Sequence, residues 1–568
     1  MEETDSPRRF HRVVQSALRR WRWELATAGG YLALSCMYAW RTVVHFTTHI
    51  AGHGGDGFQN LWNMWWFERA LLDGTNPYFT PMLHHPEGTT LLFHTLSPFN
   101  CILALPFDCL FGQPAAYNLV LLFSFAASGF TMYLLARELF ANRPGAFLAG
   151  CVFTFSHYHF AHAQGHLNLT AMEWYPLFLL GLVRVWRRRR LRDGVLMGLA
   201  LALATFCDVY YALFGLATAF LAGLVQLVRR TREALGRPVL CATGLGAGIY
   251  LATGGILLIA MLVAHATTDF MPTHDARYWS ADLQAFFVPG WISAYGGWFE
   301  SINARWTGNS AECCQYLGFS VLALGVMAVA WRAGGRRPWV WVGLGLVGLV
   351  MSLGPRLHWG GEILEGIPLP FALVARVLPP LEMSGAPVRW HFLALVATAV
   401  LAGGGAAVLH GKLRHKTLGP VRLATPVVLL ANLVVLVDLA PHWIDARLIH
   451  QPDFIEETRR SPDDMVVYDL GDDNAALLRQ IGHEHRMMGG YISRPTRAAV
   501  DFLRSDPLLR AVRGERRMAP AEVASRAAGY GLRWLIVPVH HRASRSLPAL
   551  GAEVRFREGH LQVWELPW

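Results

Sequence analysis

Apolar runs of about twenty residues recur along this chain of 568 residues. Each is long enough to cross roughly 30 Å of hydrocarbon as an α-helix. That recurrence excludes an ordinary soluble enzyme. Only 16% of the residues are charged and 53% are hydrophobic, against roughly a quarter charged in soluble proteins. The sequence therefore predicts an α-helical polytopic membrane protein. A net charge of +10 does not point to nucleic acid, because the basic residues sit between apolar runs and only Lys412 and Lys416 are lysines. The eight cysteines include no CxxC pair, and the sequence leaves open a disulfide among Cys101, Cys109, Cys313 and Cys314. The basic segment from Arg8 to Arg22 leads into the first run with no small-residue cleavage site, as in a retained helix rather than a signal peptide.

One placement gathers the arginine clusters on a single face, as short cytoplasmic loops require. It predicts eleven spans: 26–46, 116–136, 145–163, 169–186, 193–207, 209–228, 239–264, 316–331, 338–353, 391–410 and 421–441. Residues 1–25 are then a basic cytoplasmic N-terminus, 26–442 the transmembrane domain with a first outer loop at 47–115, and 443–568 an extracytoplasmic domain. The apolar stretch FNCILALPFDCLF (99–111) must return to the outer face without crossing, being short and interrupted by Pro106. In the last segment MVVYDL, LRWLIVPV and HLQVWEL read as strands, and NAALLRQIG and PTRAAVDFLRSDPLLRAV as helices, which predicts an α/β domain.

Under this topology all but His11, His410 and His415 of the 24 histidines fall on the outer side or at outer helix ends. Histidine binds phosphate or metal and titrates near neutrality, so this bias suggests a binding or reaction chamber on that face. The alternative is that histidine merely tolerates interfaces. Asp56 follows the first span among three glycines, which lets a carboxylate be aimed into a cavity; capping the next helix is the plainer role. Asn60, Trp62 and His94 in the same loop are candidate substrate contacts, although the tryptophans also suit interfacial anchoring. His159, His162 and His166 share the spacing of one helix face, with Glu173 the only acid close in sequence. Such a stripe suits phosphate or glycan hydrogen bonding, a divalent cation, or simply a polar turn. Tyr278 and Asp282 in the third outer loop, and His358, Arg376 and Arg389 in the fourth, extend the set. Arg389 at a span mouth, and Arg41 near the outer end of the first span, are candidate phosphate ligands, or snorkelling side chains.

The motifs GDGFQNLWNMWW, NPYFTP, HPEG, HTLSPFN, SHYHFAHAQGHLNLTAMEW, YWSADLQAFFVP, LGPRLHWGG, IPLPFAL, PVRWHF and GGYISRP follow in that order between about residues 50 and 500. In them the chain resembles bacterial membrane glycosyltransferases of the GT-C superfamily, in the YfhO-like and polyprenyl-phosphate-sugar-dependent group. The resemblance implies a multi-pass enzyme of the bacterial plasma membrane. It would take a sugar from a polyprenyl-phosphate donor and pass it, with inversion, to a lipid or glycan acceptor of the cell envelope on the outer face. It also implies an acidic residue in the first outer loop, a position that Asp56 fills as general base. The second carboxylate often found beside it is missing here, which weighs against metal-dependent versions. Before PVRWHF a basic residue is expected, and Met383, Ser384 and Gly385 stand there instead. Two rival classes share the polar outer face: a flippase of lipid-linked sugars, disfavoured because no matched pair of broken spans is apparent, and a non-catalytic envelope assembly protein.

Overall fold

The computed structural model describes residues 6–228, 236–272, 274–335, 338–377, 385–462 and 465–567; side chains are described from Trp21 onward. Met383 and Ser384 lie outside the described residues. The chain is mostly helical. Among the described residues three helices, Gln113–Phe140, Val209–Val228 and Pro387–Leu413, are long and apolar enough to cross a membrane. A fourth is added if Arg237–Leu251 and Gly254–Thr267, which meet at 52°, form one span.

Several expected spans are broken, and the breaks have local causes. The stretch 145–163 divides into Arg143–Thr154 and His157–Ala163, because Ser156 turns its backbone extended and accepts from the His159 N–H as a new helix cap. The Pro98–Phe111 helix has 14 residues, or about 21 Å, short of a hydrocarbon core. Gly112, at φ +83°, then reverses the chain into the Gln113–Phe140 helix.

Close helix contacts rest on small residues. A Cβ on Gly145 would come 2.6 Å from the Gly403 carbonyl, so the Arg143–Thr154 and His391–Leu413 helices meet backbone to backbone. At the opposite end of the His391–Leu413 helix Tyr175, Tyr211, Phe214 and Phe392 are buried in an aromatic cluster with ring centroids 4.9 to 5.6 Å apart around Phe392. Phe220, Ile259 and Leu433 are more than half exposed on the outside of the bundle, the distribution expected where lipid is the solvent.

The C-terminal segment carries a five-stranded sheet in the order Arg486–Met487, Val466–Asp469, Leu532–Pro538, Leu561–Glu565, Glu553–Glu558. Its first three strands are parallel and the last two antiparallel. MVVYDL, LRWLIVPV and HLQVWEL each contribute a strand. Asp506 caps a second short helix and Pro507 opens it, dividing PTRAAVDFLRSDPLLRAV into Arg497–Ser505 and Pro507–Val512. This segment is tied to the start of the chain: His49–Ala51 pairs antiparallel with Ala446–Leu448, and the Asp473–His483 helix packs on the Asp56–Leu72 helix.

Candidate functional site

The loop before Asp56 can be built only from glycine at its tightest points. Gly52 and Gly54 have φ of +94° and +86°, and a Cβ on Gly52 would collide with the Gln164 carbonyl. This close approach lays the HGGD turn against the turn that carries His166. The Asn60 amide fastens the two, donating to the carbonyls of Asp56 and Gly165 at 2.9 Å each.

Asp56 Oδ2 then lies 2.9 Å from His166 Nε2, and His166 Nδ1 lies 3.1 Å from His162 Nδ1. With Asp56 ionised the network assigns the protons: His166 Nε2–H donates to the carboxylate and His162 Nδ1–H donates to His166. Asn474, from the C-terminal segment, donates to Asp56 Oδ1 at 3.3 Å. Burial alone would raise the Asp56 carboxyl. The hydrogen bond and charge of His166, the Asn474 amide and the more distant Arg389 outweigh it and hold the group below the usual carboxylate range. The side chain keeps 36% exposure, so the carboxylate is both ionised and reachable.

Arg389 lies in the Pro387–Trp390 turn, immediately before the largely buried His391–Leu413 helix. Its Nε and Nη2 donate to Glu312 Oε1 at 2.8 and 2.5 Å, and its guanidinium stacks 4.7 Å from the Tyr210 ring. Arg389 and the neighbouring histidines hold Glu312 ionised against the effect of its burial. Asp208, between the Leu191–Cys207 and Val209–Val228 helices, faces the same arginine and accepts from Asn168 at 2.6 Å. Its burial pushes the carboxyl upward, against the pull of Arg389. Arg494, from GGYISRP, is the further cation. It sits near Tyr210 and Arg389, and among the described residues it makes no ion pair with a carboxylate. Burial and the adjacent Arg389 lower its pKa, yet a guanidinium remains charged at any ordinary pH.

Of the residues singled out in the sequence, the structure thus gathers Asp56, His162, His166 and Arg389. His159 is held apart: its two ring nitrogens lie 2.8 and 2.9 Å from the carbonyls of Thr154 and Thr170, and its ring stacks on Phe125. Glu173 is buried on the same side of the bundle, accepting from Ser124. Trp62 is wholly buried, and its indole N–H donates to Gln480 at 2.7 Å, so it joins the C-terminal segment to the first loop and has no face left for a sugar. His94 meets Ser493 and Gln59. Burial lowers its pKa to about 3, so it acts as a neutral hydrogen-bonding group. Arg41 pairs with Asp445 at 2.8 Å, outside the Asp56 group. Asp282 caps a turn at Gln284 and accepts from the Gly361 N–H, His358 bonds Thr307, and Tyr278 is exposed; all three belong to the loop 270–310 and the hairpin beneath it. Arg376 lies on the short Pro370–Val377 helix.

Glu312, Asp208, Arg494, Tyr210 and Asn474 complete the site without having been picked out. Asp208 carried a usable signal, a lone acid between two apolar runs. Both His166 nitrogens are already engaged, so the histidine row does not present a ligand set for a metal. Among the described residues no three His, Cys, Asp or Glu side chains converge as one. Cys101, Cys109, Cys313 and Cys314 are all free thiols.

The architecture recurs in solved structures. The mycobacterial arabinofuranosyltransferase AftD matches with a TM-score of 0.58 at 14% identity, over 96% of this chain and 40% of that one. This chain therefore spans well under half of AftD. The Archaeoglobus fulgidus oligosaccharyltransferase matches at TM-score 0.47 and 12% identity, over 91% of this chain and 70% of that one. ArnT from Cupriavidus metallidurans, solved with undecaprenyl phosphate, matches at 0.46 and 13%, over 96% and 98%. The fold is the one seen in AftD, of the GT-C type. No curated protein matches the sequence. The family model that does, described as a domain of unknown function (DUF6311), covers residues 27–440, and the chain belongs to that family.

Proposed function

We propose that the chain is a membrane glycosyltransferase. It moves a sugar from a polyprenyl-phosphate donor to a cell-envelope acceptor on the outer face of the bacterial plasma membrane. In this reading the bundle crosses the membrane eleven times, the 99–111 helix returns without crossing, and residues 443–568 lie outside as a domain over the site. The observation that carries it is an ionised, accessible Asp56 within the field of Arg389, which has a second arginine, Arg494, near it that makes no ion pair with a carboxylate among the described residues.

The acceptor hydroxyl oxygen attacks the anomeric carbon, the bond from that carbon to the phosphate oxygen breaks, and Asp56 takes the hydroxyl proton. The carboxylate's hydrogen bond to His166 fixes its plane and leaves Oδ1 toward the acceptor, with Asn474 as its second anchor. Negative charge then grows on the departing phosphate. Arg494 and the part of Arg389 not spent on Glu312 are fixed cations where that charge appears, and no reorganisation is needed to meet it. Glu312 and Tyr210 hold Arg389 in place. His162 and His166 order the base and do not themselves contact the donor.

The test is transfer of radiolabelled pentose or hexose from polyprenyl phosphate by the purified protein in lipid nanodiscs. Transfer that is lost in Asp56→Asn, with thermal unfolding unchanged, supports the reading. Normal turnover in that variant removes Asp56 from the mechanism. Lipid-linked sugar crossing the bilayer of proteoliposomes without any transfer would replace the enzyme by a flippase.

A further inference from the structure

Among its described residues the loop between the Gly254–Thr267 and Phe319–Ala330 helices holds little regular structure beyond the turns Leu283–Phe286, Gly296–Phe299 and Glu300–Asn303. It nevertheless encloses an open cavity of about 470 Å³, within the roughly 300–1,000 Å³ of small-molecule sites. Its walls are held by close backbone contact: a Cβ on Gly296 would strike the Gly290 carbonyl. Trp291, Glu300, Asn303, Trp306, Asn309 and Ser310 provide its chemistry.

The two indoles are set differently. Trp291 donates its N–H to the Ser310 carbonyl at 2.6 Å, which fixes the ring. Trp306 is 8% exposed, and its indole nitrogen has no hydrogen-bond partner. Asn303 donates to the Pro289 carbonyl at 3.1 Å, while its Oδ1 is buried without a donor. Unmet buried polar atoms are scarce in folded proteins and call for an explanation. Glu300 is exposed and makes no ion pair among the described residues. Among the described residues no lysine or arginine lines the cavity.

This is the complement of one ligand class. A sugar ring has an apolar C–H face that packs on an indole and a rim of hydroxyls, each both donor and acceptor. A carboxylate, an amide oxygen and an indole N–H would meet that rim. An anionic ligand would face Glu300 with no cation to balance it.

The cavity also adjoins the reaction centre. The Trp291 ring lies 6.0 Å from the His53 ring, three residues before Asp56. Asn309 accepts from the Glu312 N–H at 2.9 Å, on the residue that grips Arg389. We propose that the cavity is a binding subsite for an uncharged saccharide, which holds the body of a glycan acceptor while its end reaches Asp56. The acceptor role rests on the transferase reading; the saccharide site does not.

The experiment is equilibrium binding of gluco-, galacto-, manno- and arabino-tetraose to the full-length protein in nanodiscs, read by saturation-transfer NMR. Galacturonate tetramer is the charged control. At least one neutral tetraose should bind, and Trp291→Ala and Glu300→Gln should each weaken it about tenfold, with the galacturonate tetramer excluded. Glu300→Gln removes no internal contact and so reports on binding even if Trp291→Ala fails to fold. Binding should persist in Asp56→Asn. No binding of any neutral probe, binding indifferent to Glu300→Gln, or preference for the anionic tetramer overturns the subsite and leaves the transferase reading standing. Saccharide binding by a protein that transfers nothing overturns the transferase reading and keeps the subsite.

Discussion

The two ends of the helical bundle handle buried charge in opposite ways. At the arginine-rich end two acids are each gripped by two guanidinium groups: Glu24 by Arg137 and Arg143, Glu138 by Arg184 and Arg188. At the Asp56 end the pairing stops short. Glu312 and Arg389 satisfy one another, but Arg494 pairs with no carboxylate among the described residues, and Asp56 is held by an imidazole and an amide. Arginines paired with carboxylates keep helices in register. An arginine set beside another arginine costs free energy, and such a cost persists where an anion is to be bound. On the proposed reading, the difference is that of an end organised for stability and an end organised for a ligand.

Removing Asp56 or Arg494 should do the most to activity and the least to folding. Asp56→Asn is expected to lower transfer by about 10²- to 10⁴-fold, the range for a lost general base, with the thermal midpoint unchanged. Arg494→Gln should lower transfer by about 10²-fold and leave the thermal midpoint equal or higher, since a like-charge contact with Arg389 is removed. A fall in stability would show that Arg494 is structural. Arg389→Ala sharpens the contrast. It should lose transfer and also destabilise by about 3–5 kcal/mol, because Glu312 is left buried without its partner; chemical denaturation in detergent reads this. Glu24→Gln at the other end should cost about 1–3 kcal/mol of stability and leave transfer per folded molecule untouched.

The smallest effect concerns pH. The Asp56 carboxyl is held below its ordinary value, so protons are released more readily in the folded protein than in the unfolded chain. The ionised form, and the stability it contributes, are present above the ordinary carboxylate range and lost only as pH falls through the depressed value. Turnover should therefore stay level from about pH 8 to about pH 5, with any acid limb below the usual value of about 4. An acidic midpoint between 6 and 7 would assign the base to a histidine instead.

Much of the architecture was legible because period and length are local properties. Alternation and β-branched residues marked Val466–Asp469, Leu532–Pro538 and Leu561–Glu565, and these strands are central, so their apolar signal is dense. The outermost strand Glu553–Glu558 carries charge on alternate residues and gave no such signal, as suits an edge exposed to water. Ser156 marked a cap that the apolar run concealed. The His162 and His166 pair was legible from spacing. His159 obeys the same spacing but meets the carbonyls of Thr154 and Thr170 beside the break at Ser156.

What the sequence by itself determined was a helical membrane bundle and Asp56 set among glycines, since hydropathy and backbone freedom are written residue by residue. Only the tertiary structure decided which charges meet. Glu312 stands 77 residues from Arg389 and Asn474 418 residues from Asp56, and Arg494 reaches the same place from beyond the last helix of the bundle. No local pattern specifies such contacts, because electrostatic partners are chosen by distance in space after the helices have packed.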